Sequence, residues 1–441
     1  MNFNESLAYL LSLGHETLAM KFGLENTERL LNALRHPERL FFKIQIAGTN
    51  GKGSTAVMLD HITRAAGIRT ALYTSPHLVS ITERMRFDGQ EIDPRDFARH
   101  ATKVRDAAQA LVAAGALPAL PTFFEHLTAM FFVGCTGARA ELAILETGLG
   151  GRLDATTATN PQMVAITPVA LDHQEYLGGT LEEIAGEKAA IIRPGTIAVI
   201  APQPPEVLNV ILNRCAECGV QPVHADFETK VTGADARGRL RVTFKTRHEI
   251  YEDVWLSLPG RHQIVNAAVA LAITEALIER GFKISHQAIR DGLESASHPG
   301  RLEWREGVPA FLFDGAHNIA GARALGDYLN EFVKAPLTII FGAMRDKDLA
   351  LMAEALFPAA EHLILTELDN ARSATREMLA QLASHHPNMS RVILTSNVSE
   401  ALRAAMSQTE PVGVICVTGS LYLIGEAQAL LHRVPDEIYA T

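Results

Sequence analysis

The sequence predicts an α/β protein made of two units, each with a mostly parallel sheet, and three observations carry that expectation. Short apolar runs of strand length alternate with amphipathic runs of helix length along the whole chain. The 441 residues exceed what a single ordinary core accommodates. A cluster of breakers, His298-Pro299-Gly300, interrupts the alternation and divides residues 1–297 from residues 298–441.

In the first unit helical patterns at Ser6–Leu13 and Thr27–Leu34 precede a strand at Lys43–Ala47. A helix at Gly53–Ala66 follows, then a strand at Thr70–Tyr73, helices at Pro94–Ala114 and Phe124–Cys135, and a strand at Leu142–Leu145. Strands at Met163–Thr167 and Ile197–Ala201 flank a helix at Leu181–Ile192. That helix has a capping box, Thr180 with Glu183, and Gly195 beyond its end. After a helix at Pro205–Cys218 the pattern changes. Between Val220 and Leu258, alternating pieces such as Leu240-Arg241-Val242-Thr243-Phe244 predict a small antiparallel elaboration. In the second unit strands fit Ala310–Phe313, Leu337–Phe341, His362–Thr366, Val392–Leu394 and Gly413–Val417. Helices fit Ala320–Phe332, Leu349–Phe357, Thr375–Ser384, Val398–Met406 and Tyr422–Leu431.

Hydrophobic residues make up 47% of the chain and charged residues 20%, the proportions of a soluble globular enzyme. No apolar run is long enough to span a bilayer, and the N-terminus has neither a basic leader region nor a cleavage pattern. A cytoplasmic protein with no membrane partner is expected. The formal net charge of −10 provides no global basic field, which argues against nucleic acid as the main partner. An anionic substrate would need a local basic patch, for which Arg84 and Arg86 are candidates. Cys135, Cys215, Cys218 and Cys416 are few for so long a chain, as a reducing compartment favours. Cys215-Ala-Glu-Cys218 is a lone C-x-x-C in an apolar helical pattern, and it reads as ordinary helix residues.

The run Ile44-Gln45-Ile46-Ala47-Gly48-Thr49-Asn50-Gly51-Lys52-Gly53-Ser54-Thr55 concentrates the chemistry. An apolar strand enters a glycine-rich turn that opens a helix. Such a turn lets the backbone N–H groups of Gly48, Thr49, Asn50, Gly51 and Gly53 close around phosphate oxygens. The helix N-terminus adds partial positive charge, and Lys52 adds a full one. The hydroxyl of Ser54 or of Thr55 can ligate Mg²⁺. A nucleoside triphosphate is therefore the expected ligand. The usual P-loop has glycine at position 46 and a hydroxyl at 53, whereas this chain has Ile46 and Gly53.

In open α/β sheets ligands lie beyond the carboxyl ends of the strands, so the residues there are the next candidates. Thr74-Ser75-Pro76-His77-Leu78 follows the second strand. Glu146 ends the strand at Leu142–Leu145 and is followed by the glycine cluster 148, 150 and 151. Asp172-His173 comes after Met163–Thr167. Glu146 occupies the position where a P-loop protein keeps its metal-binding acid. His173 is either a structural histidine or part of the same crevice. Lys188, mid-helix among small and apolar neighbours, is either buried and reactive or snorkels to solvent. Asn266 either caps a helix or contacts nucleotide. Asp314-Gly315-Ala316-His317-Asn318 follows the first strand of the second unit and reaches toward the first.

GTNGKGS resembles the ATP loop of the Mur ligase superfamily. Further blocks occur in order: TSPHL (74–78), ETGLGGRLDAT (146–156), ALDHQEYLG (170–178), GEKAAIIRPG (186–195), RHQIVNAAVA (261–270), PGRLE (299–303), DGAHN (314–318), FGAMRDKD (341–348) and TGSLYLIGE (418–426). Together they identify the chain as similar to the folylpolyglutamate synthase family, including its bifunctional dihydrofolate synthase relatives. The resemblance implies a P-loop ATPase-like domain followed by a Rossmann-like domain. It also implies ATP-dependent addition of L-glutamate to a folate or dihydropteroate carboxyl group through an acyl phosphate. Lys52 and Ser54 would then contact phosphate and metal. Ser75 and Glu146 would ligate one Mg²⁺, with His173 serving a second. Lys188 would be carbamylated, and a monovalent cation is a further expected cofactor. Asn266, Arg301 and Asp314 would contact nucleotide, His317 would lie beside the phosphates, and Lys347 would face the interface. Arg84 and Phe124 would belong to the acceptor pocket, and the enzyme would be a monomer.

Two departures stand out: Ile319 replaces a usual proline after AHN, and Thr156–Asn160 is longer than the common form. A peptidoglycan Mur ligase would have an N-terminal sugar-nucleotide domain, for which a phosphate loop starting at Gly48 leaves no room. A non-ligase P-loop ATPase would leave the second unit and DGAHN unexplained.

Overall fold

The computed structural model describes residues 1–14, 23–385 and 388–433. The first sheet contains β1 (Phe42–Ala47), β2 (Thr70–Tyr73), β3 (Met85–Phe87), β4 (Gln90–Glu91), β5 (Leu142–Glu146), β6 (Met163–Ile166), β7 (Ile197–Ile200) and β8 (Val223–His224). Their order is β4-β3-β2-β5-β1-β6-β7-β8. All pairings are parallel except at one edge, where β3 pairs antiparallel with both β2 and β4. β5 is an apolar run buried along its whole length, as a strand covered on both faces requires.

The helices of this part are α1 (Phe3–Ser12), α2 (Glu25–Ala33), α3 (Lys52–Ala65), α4 (Pro94–Ala113), α5 (Phe123–Gly137), α6 (Gln174–Leu177), α7 (Leu181–Ala189), α8 (Pro205–Cys218), α9 (Gln263–Glu279) and α10 (His286–Ser295). Successive strand side chains point to opposite faces. Ile44, Ile46, Leu142 and Ile144 pack with residues of α3 and α9, while Ala143 and Leu145 pack with residues of α4 and α5. An antiparallel sheet of β9 (Glu228–Ala234), β10 (Leu240–Lys245) and β11 (Ile250–Trp255) adds Leu240, Val242 and Phe244 to the core shared with α3 and α9.

The second sheet has β12 (Glu303–Arg305), β13 (Ala310–Asp314), β14 (Leu337–Phe341), β15 (His362–Thr366), β16 (Val392–Thr395) and β17 (Val414–Thr418), ordered β12-β13-β17-β14-β15-β16. Only β12 is antiparallel. Around it pack α11 (Ile319–Phe332), α12 (Leu349–Leu356), α13 (Arg376–Leu382), α14 (Val398–Gln408) and α15 (Leu421–Arg433). α15 meets the first part of the molecule so closely that a Cβ on Gly425 would fall 2.0 Å from the Leu78 carbonyl oxygen.

Most element ends agree with the sequence pattern within two residues, and two helices are shorter than expected. α7 stops at Ala189 because Ile191 and Ile192 turn inward into the core ahead of Pro194, which disfavours helix in the residue before it. α13 gives way to a 3₁₀ turn at Ala383–His385. Asn266 does not cap a helix. α9 begins at Gln263, so Asn266 lies inside it. Cys215 and Cys218 are ordinary residues of α8 without a disulfide. Among the described residues no helix is long and apolar enough to cross a membrane.

The close contact of α3 with α10 depends on Gly292, where an added Cβ would lie 2.4 Å from the backbone nitrogen and Cα of Ile62. Alanine improves helix propensity by about 1 kcal/mol, yet here it must displace backbone. Gly292→Ala is expected to destabilise the fold by roughly 1–3 kcal/mol in denaturant titrations. A variant at least as stable as the parent would show that the two helices can separate freely.

Candidate functional site

The chain leaves β1 between neighbours reached on opposite sides of the sheet, β5 and β6. This is the position where an open sheet leaves a crevice. Two glycines shape the turn there. Gly48 has φ +149°, and a Cβ on it would meet Thr167 Oγ1 at 1.9 Å; Gly51 has φ +87°, and a Cβ would meet Asn266 Oδ1 at 2.1 Å. Only glycine fits both the backbone and the space. α3 begins directly after Gly51 with no side-chain cap, so its first N–H groups face the crevice with the positive end of the helix dipole.

One cavity of about 730 Å³ opens at this point and takes its walls from both sheets. The loop from Gly48 to Ser54 lines it, with Ser75, Phe124, Glu146, His173 and Lys188 from the same part. Asn266 and Arg301 line it as well, and Asp314 and His317 complete it from the tip of β13. Thr55, Arg84 and Arg86, among the expected residues, stand outside the wall. The hydroxyl of Thr55 is buried and donates to the Asn266 carbonyl oxygen at 3.4 Å, so Ser54 is the loop hydroxyl that faces the cavity. Arg84 is also buried, its guanidinium donating to His77 Nδ1 at 2.8 Å and stacking over the Phe123 ring at 5.6 Å. It lies behind the cavity wall, against His77 and Phe123.

The charges in the cavity are strongly perturbed. Lys52 Nζ donates to the carbonyl oxygens of Gly48 at 3.0 Å and Thr49 at 3.1 Å. Lys188 reaches the same Gly48 oxygen from α7 at 2.9 Å and is only 5% exposed, which eliminates the snorkelling alternative. Burial first, then the positive charge of Lys52, lowers the Lys188 amine to about 7. Burial raises Glu146 above its usual value against the opposing charge of Lys52. The Glu146 carboxylate accepts the Ser75 N–H at 3.0 Å. Asp314 is likewise raised by burial, and its two oxygens accept N–H groups of Leu302 and Ala316.

His173 has φ +50°, ahead of the short α6, and its Nδ1 is buried with no hydrogen-bond partner in the structure. Burial pushes its imidazole down to about 4. Asp172 beside it joins the two halves of the molecule. Its carboxylate meets Lys347 Nζ at 2.5 Å, accepts from Asn318 Nδ2 at 3.0 Å and lies 3.5 Å from His317 Nε2. Burial would raise Asp172, but the hydrogen bond and charge of His317 and the charges of His173 and Lys347 outweigh it and hold the carboxyl well below its usual range. Asn318 also caps α11 through Gly321 N–H and donates to Asn50 Oδ1 at 3.0 Å. The helix therefore starts at Ile319 without the proline.

Sequence reasoning missed three residues here. Asp154 accepts four hydrogen bonds, from the N–H groups of Gly148, Leu149 and Thr156 and from the Thr156 hydroxyl, and so folds the glycine cluster. Gln263 reaches Ser54 Oγ at 3.5 Å, and His298 Nδ1 lies 3.3 Å from the same oxygen. Burial first, then Arg301, pushes His298 down to about 3. The sequence signal for His298 was present, but its neighbours Pro299 and Gly300 mark it only as a boundary.

The donor set suits a hard cation held partly by phosphate. Ser54 and Glu146 offer oxygen ligands in one cavity, and burying Glu146 is costly unless a positive charge compensates it. The partnerless Nδ1 of His173 is a further free donor atom. No group of three or more His, Cys, Asp or Glu able to cage a metal occurs among the described residues.

Family models match across the chain: the Mur ligase middle domain at residues 46–274 and the Mur ligase glutamate ligase domain at residues 300–421. The dihydrofolate synthase/folylpolyglutamate synthase of Mycobacterium tuberculosis is 34% identical, with 94% of this chain and 91% of the relative covered. The structure of Mycobacterium tuberculosis folylpolyglutamate synthase complexed with ADP and AMPPCP superposes with a TM-score of 0.88 at 32% identity, covering 98% of this chain and 99% of that one. E. coli FolC in complex with DHPP and ADP gives 0.84 at 31% identity, covering 98% of each chain. The chain belongs to the folylpolyglutamate synthase/dihydrofolate synthase family of the Mur ligase superfamily, a family of ATP-dependent ligases.

Proposed function

We propose that this chain joins L-glutamate to the carboxyl group of dihydropteroate and of folates, acting as both dihydrofolate synthase and folylpolyglutamate synthase. The observation that carries the reading is the single cavity walled by the phosphate loop, Glu146, Asp314 and His317. Residues 1–297 form the nucleotide and acceptor domain in this reading, and residues 298–441 the Rossmann-like ligase domain. The protein works as a cytoplasmic monomer, without nucleic acid or membrane as partner.

ATP lies along the α3 N-terminus, with its nucleoside toward Asn266, Arg301 and Asp314. The acceptor enters past Phe124, whose ring packs against Gly148 and near Tyr73. Its carboxylate attacks the γ-phosphorus, ADP leaves, and the carboxyl becomes an acyl phosphate with phosphate as leaving group. Lys52, Arg301 and the helix terminus offset the charge on the transferred group. The glutamate amine then adds to the acyl carbon, and the tetrahedral intermediate collapses to amide, inorganic phosphate and a proton. Lys347 and Arg372 line the same cavity and suit the carboxylates of glutamate. Closure between the two domains keeps water from the acyl phosphate.

Ser54, Ser75 and Glu146 would hold one Mg²⁺, with His173 at a second. Bound there, Mg²⁺ supplies electrostatic stabilisation of the phosphoryl group. A lysine with its amine near 7 is half neutral at physiological pH and open to carbon dioxide, which supports carbamylation of Lys188. A monovalent cation near this cluster belongs to the same reading.

Four measurements test these roles. Purified protein with ATP, Mg²⁺ and labelled glutamate should incorporate label with dihydropteroate and with reduced folates. Incorporation with neither would end the ligase proposal, and incorporation with one acceptor would end bifunctionality. Glu146→Gln should lower turnover by about a thousandfold, a loss of electrostatic stabilisation, with an unchanged circular dichroism spectrum; near-normal turnover would exclude it from the metal site. Because the Lys188 amine is neutral above about 7 and an ammonium below it, activity should fall as pH drops through that value. Lys188→Ala should lose that activity and regain part of it with a short carboxylic acid. Full activity without rescue would contradict the carbamate.

A further inference from the structure

His298 lies on the segment that joins α10 to β12, between the two sheets, and belongs to no element of either. Its ring covers the phosphate loop. A Cβ added at Gly53 would fall 2.7 Å from His298 Cε1 and 3.1 Å from Nε2, with Glu146 Oε1 at 3.4 Å. Glycine at position 53, where an ordinary P-loop has its hydroxyl, is what admits this ring.

The hydrogen bonds around Ser54 determine what the ring does. Asn266 Nδ2 donates to Gln263 Oε1 at 2.8 Å, which turns the Gln263 amide nitrogen toward Ser54 Oγ at 3.5 Å. An amide nitrogen only donates, so it takes one lone pair of the hydroxyl. The other polar neighbour of the hydroxyl is His298 Nδ1 at 3.3 Å, which accepts the hydroxyl proton in the tautomer protonated at Nε2. With the proton so placed, a second lone pair remains on Ser54, which lines the cavity.

We propose that His298 is a positioning residue that accepts the Ser54 hydroxyl proton and so presents the serine oxygen to the divalent cation accompanying the nucleotide. The proposal rests on the Mg²⁺ reading of the site given above. A serine hydroxyl without this acceptor can rotate its proton toward the cation and loses ligand character. His298 O also accepts the Arg301 N–H at 3.3 Å, so the same short segment carries a cavity-lining arginine and continues through Leu302 to Asp314.

The test is calorimetric binding of ADP to the full chain, with Mg²⁺ and with EDTA, for the parent protein, His298→Ala, His298→Phe and His298→Asn. The Phe variant keeps ring bulk without an acceptor, and the Asn variant restores an acceptor near the position of Nδ1. Ala and Phe should weaken binding with Mg²⁺ about tenfold, while binding with EDTA changes less than about twofold. Asn should recover to within about threefold of the parent. Equal losses with and without Mg²⁺, or a Phe variant that matches the parent, would overturn the proposal and leave His298 a packing residue. If the Ala variant fails to fold, the Phe and Asn pair makes the same comparison at nearly constant volume. A parent protein that binds ADP equally with Mg²⁺ and EDTA would overturn the cation reading instead, an outcome distinct from failure of the histidine variants.

Discussion

A buried carboxylate, Asp172, holds the two halves of this molecule in register. It lies on the loop after β6, yet Lys347, Asn318 and His317, three of its partners, come from segments that follow strands of the second sheet. An isolated buried charge costs several kcal/mol, so the arrangement is stable only while the partners remain in place. Asn318 ties the same joint to the phosphate loop through Asn50 and starts α11 through Gly321. Nucleotide loop, strand-tip histidine and second-domain helix are thereby connected through a few side chains.

The cavity beside this joint concentrates opposed charge. Two lysines, Lys52 and Lys188, share the Gly48 carbonyl oxygen. Neither relieves the other. Burial and mutual repulsion lower the Lys188 amine, while burial raises Glu146 and Asp314 nearby. Such a site is stabilised by ligands that bring both phosphate and divalent cations, since each offsets one part of the imbalance. The proposed pairing of Mg²⁺ with a nucleoside triphosphate rests on these electrostatics as well as on the loop pattern.

Much of the fold was legible because its signals are local. β5 reads as a strand from its uninterrupted apolar run, and α7 shows its start through Thr180 and Glu183. Ends governed by distant packing were less legible, as in Ile191 and Ile192, which leave α7 to fill the core. Within the site the strand-tip rule led to Ser75, Glu146, His173 and Asp314. The charge and loop patterns that named Arg84 and Thr55 were less informative: Arg84 is engaged by His77 and the Phe123 ring, and Thr55 donates to the Asn266 carbonyl oxygen.

By itself the sequence determined the alternation of strands and helices, the glycines that close on phosphate and the ordered blocks of the family, because each depends on neighbours within a few residues. Only the tertiary structure decided which hydroxyl of the loop faces the cavity, that Asn266 is an interior helix residue instead of a cap, and that His298 touches Ser54 from a separation of 244 residues. These outcomes depend on how two sheets meet in space. No local pattern encodes that meeting, since it is set by the summed packing of α3, α9 and α15 and by the ion pair at Asp172.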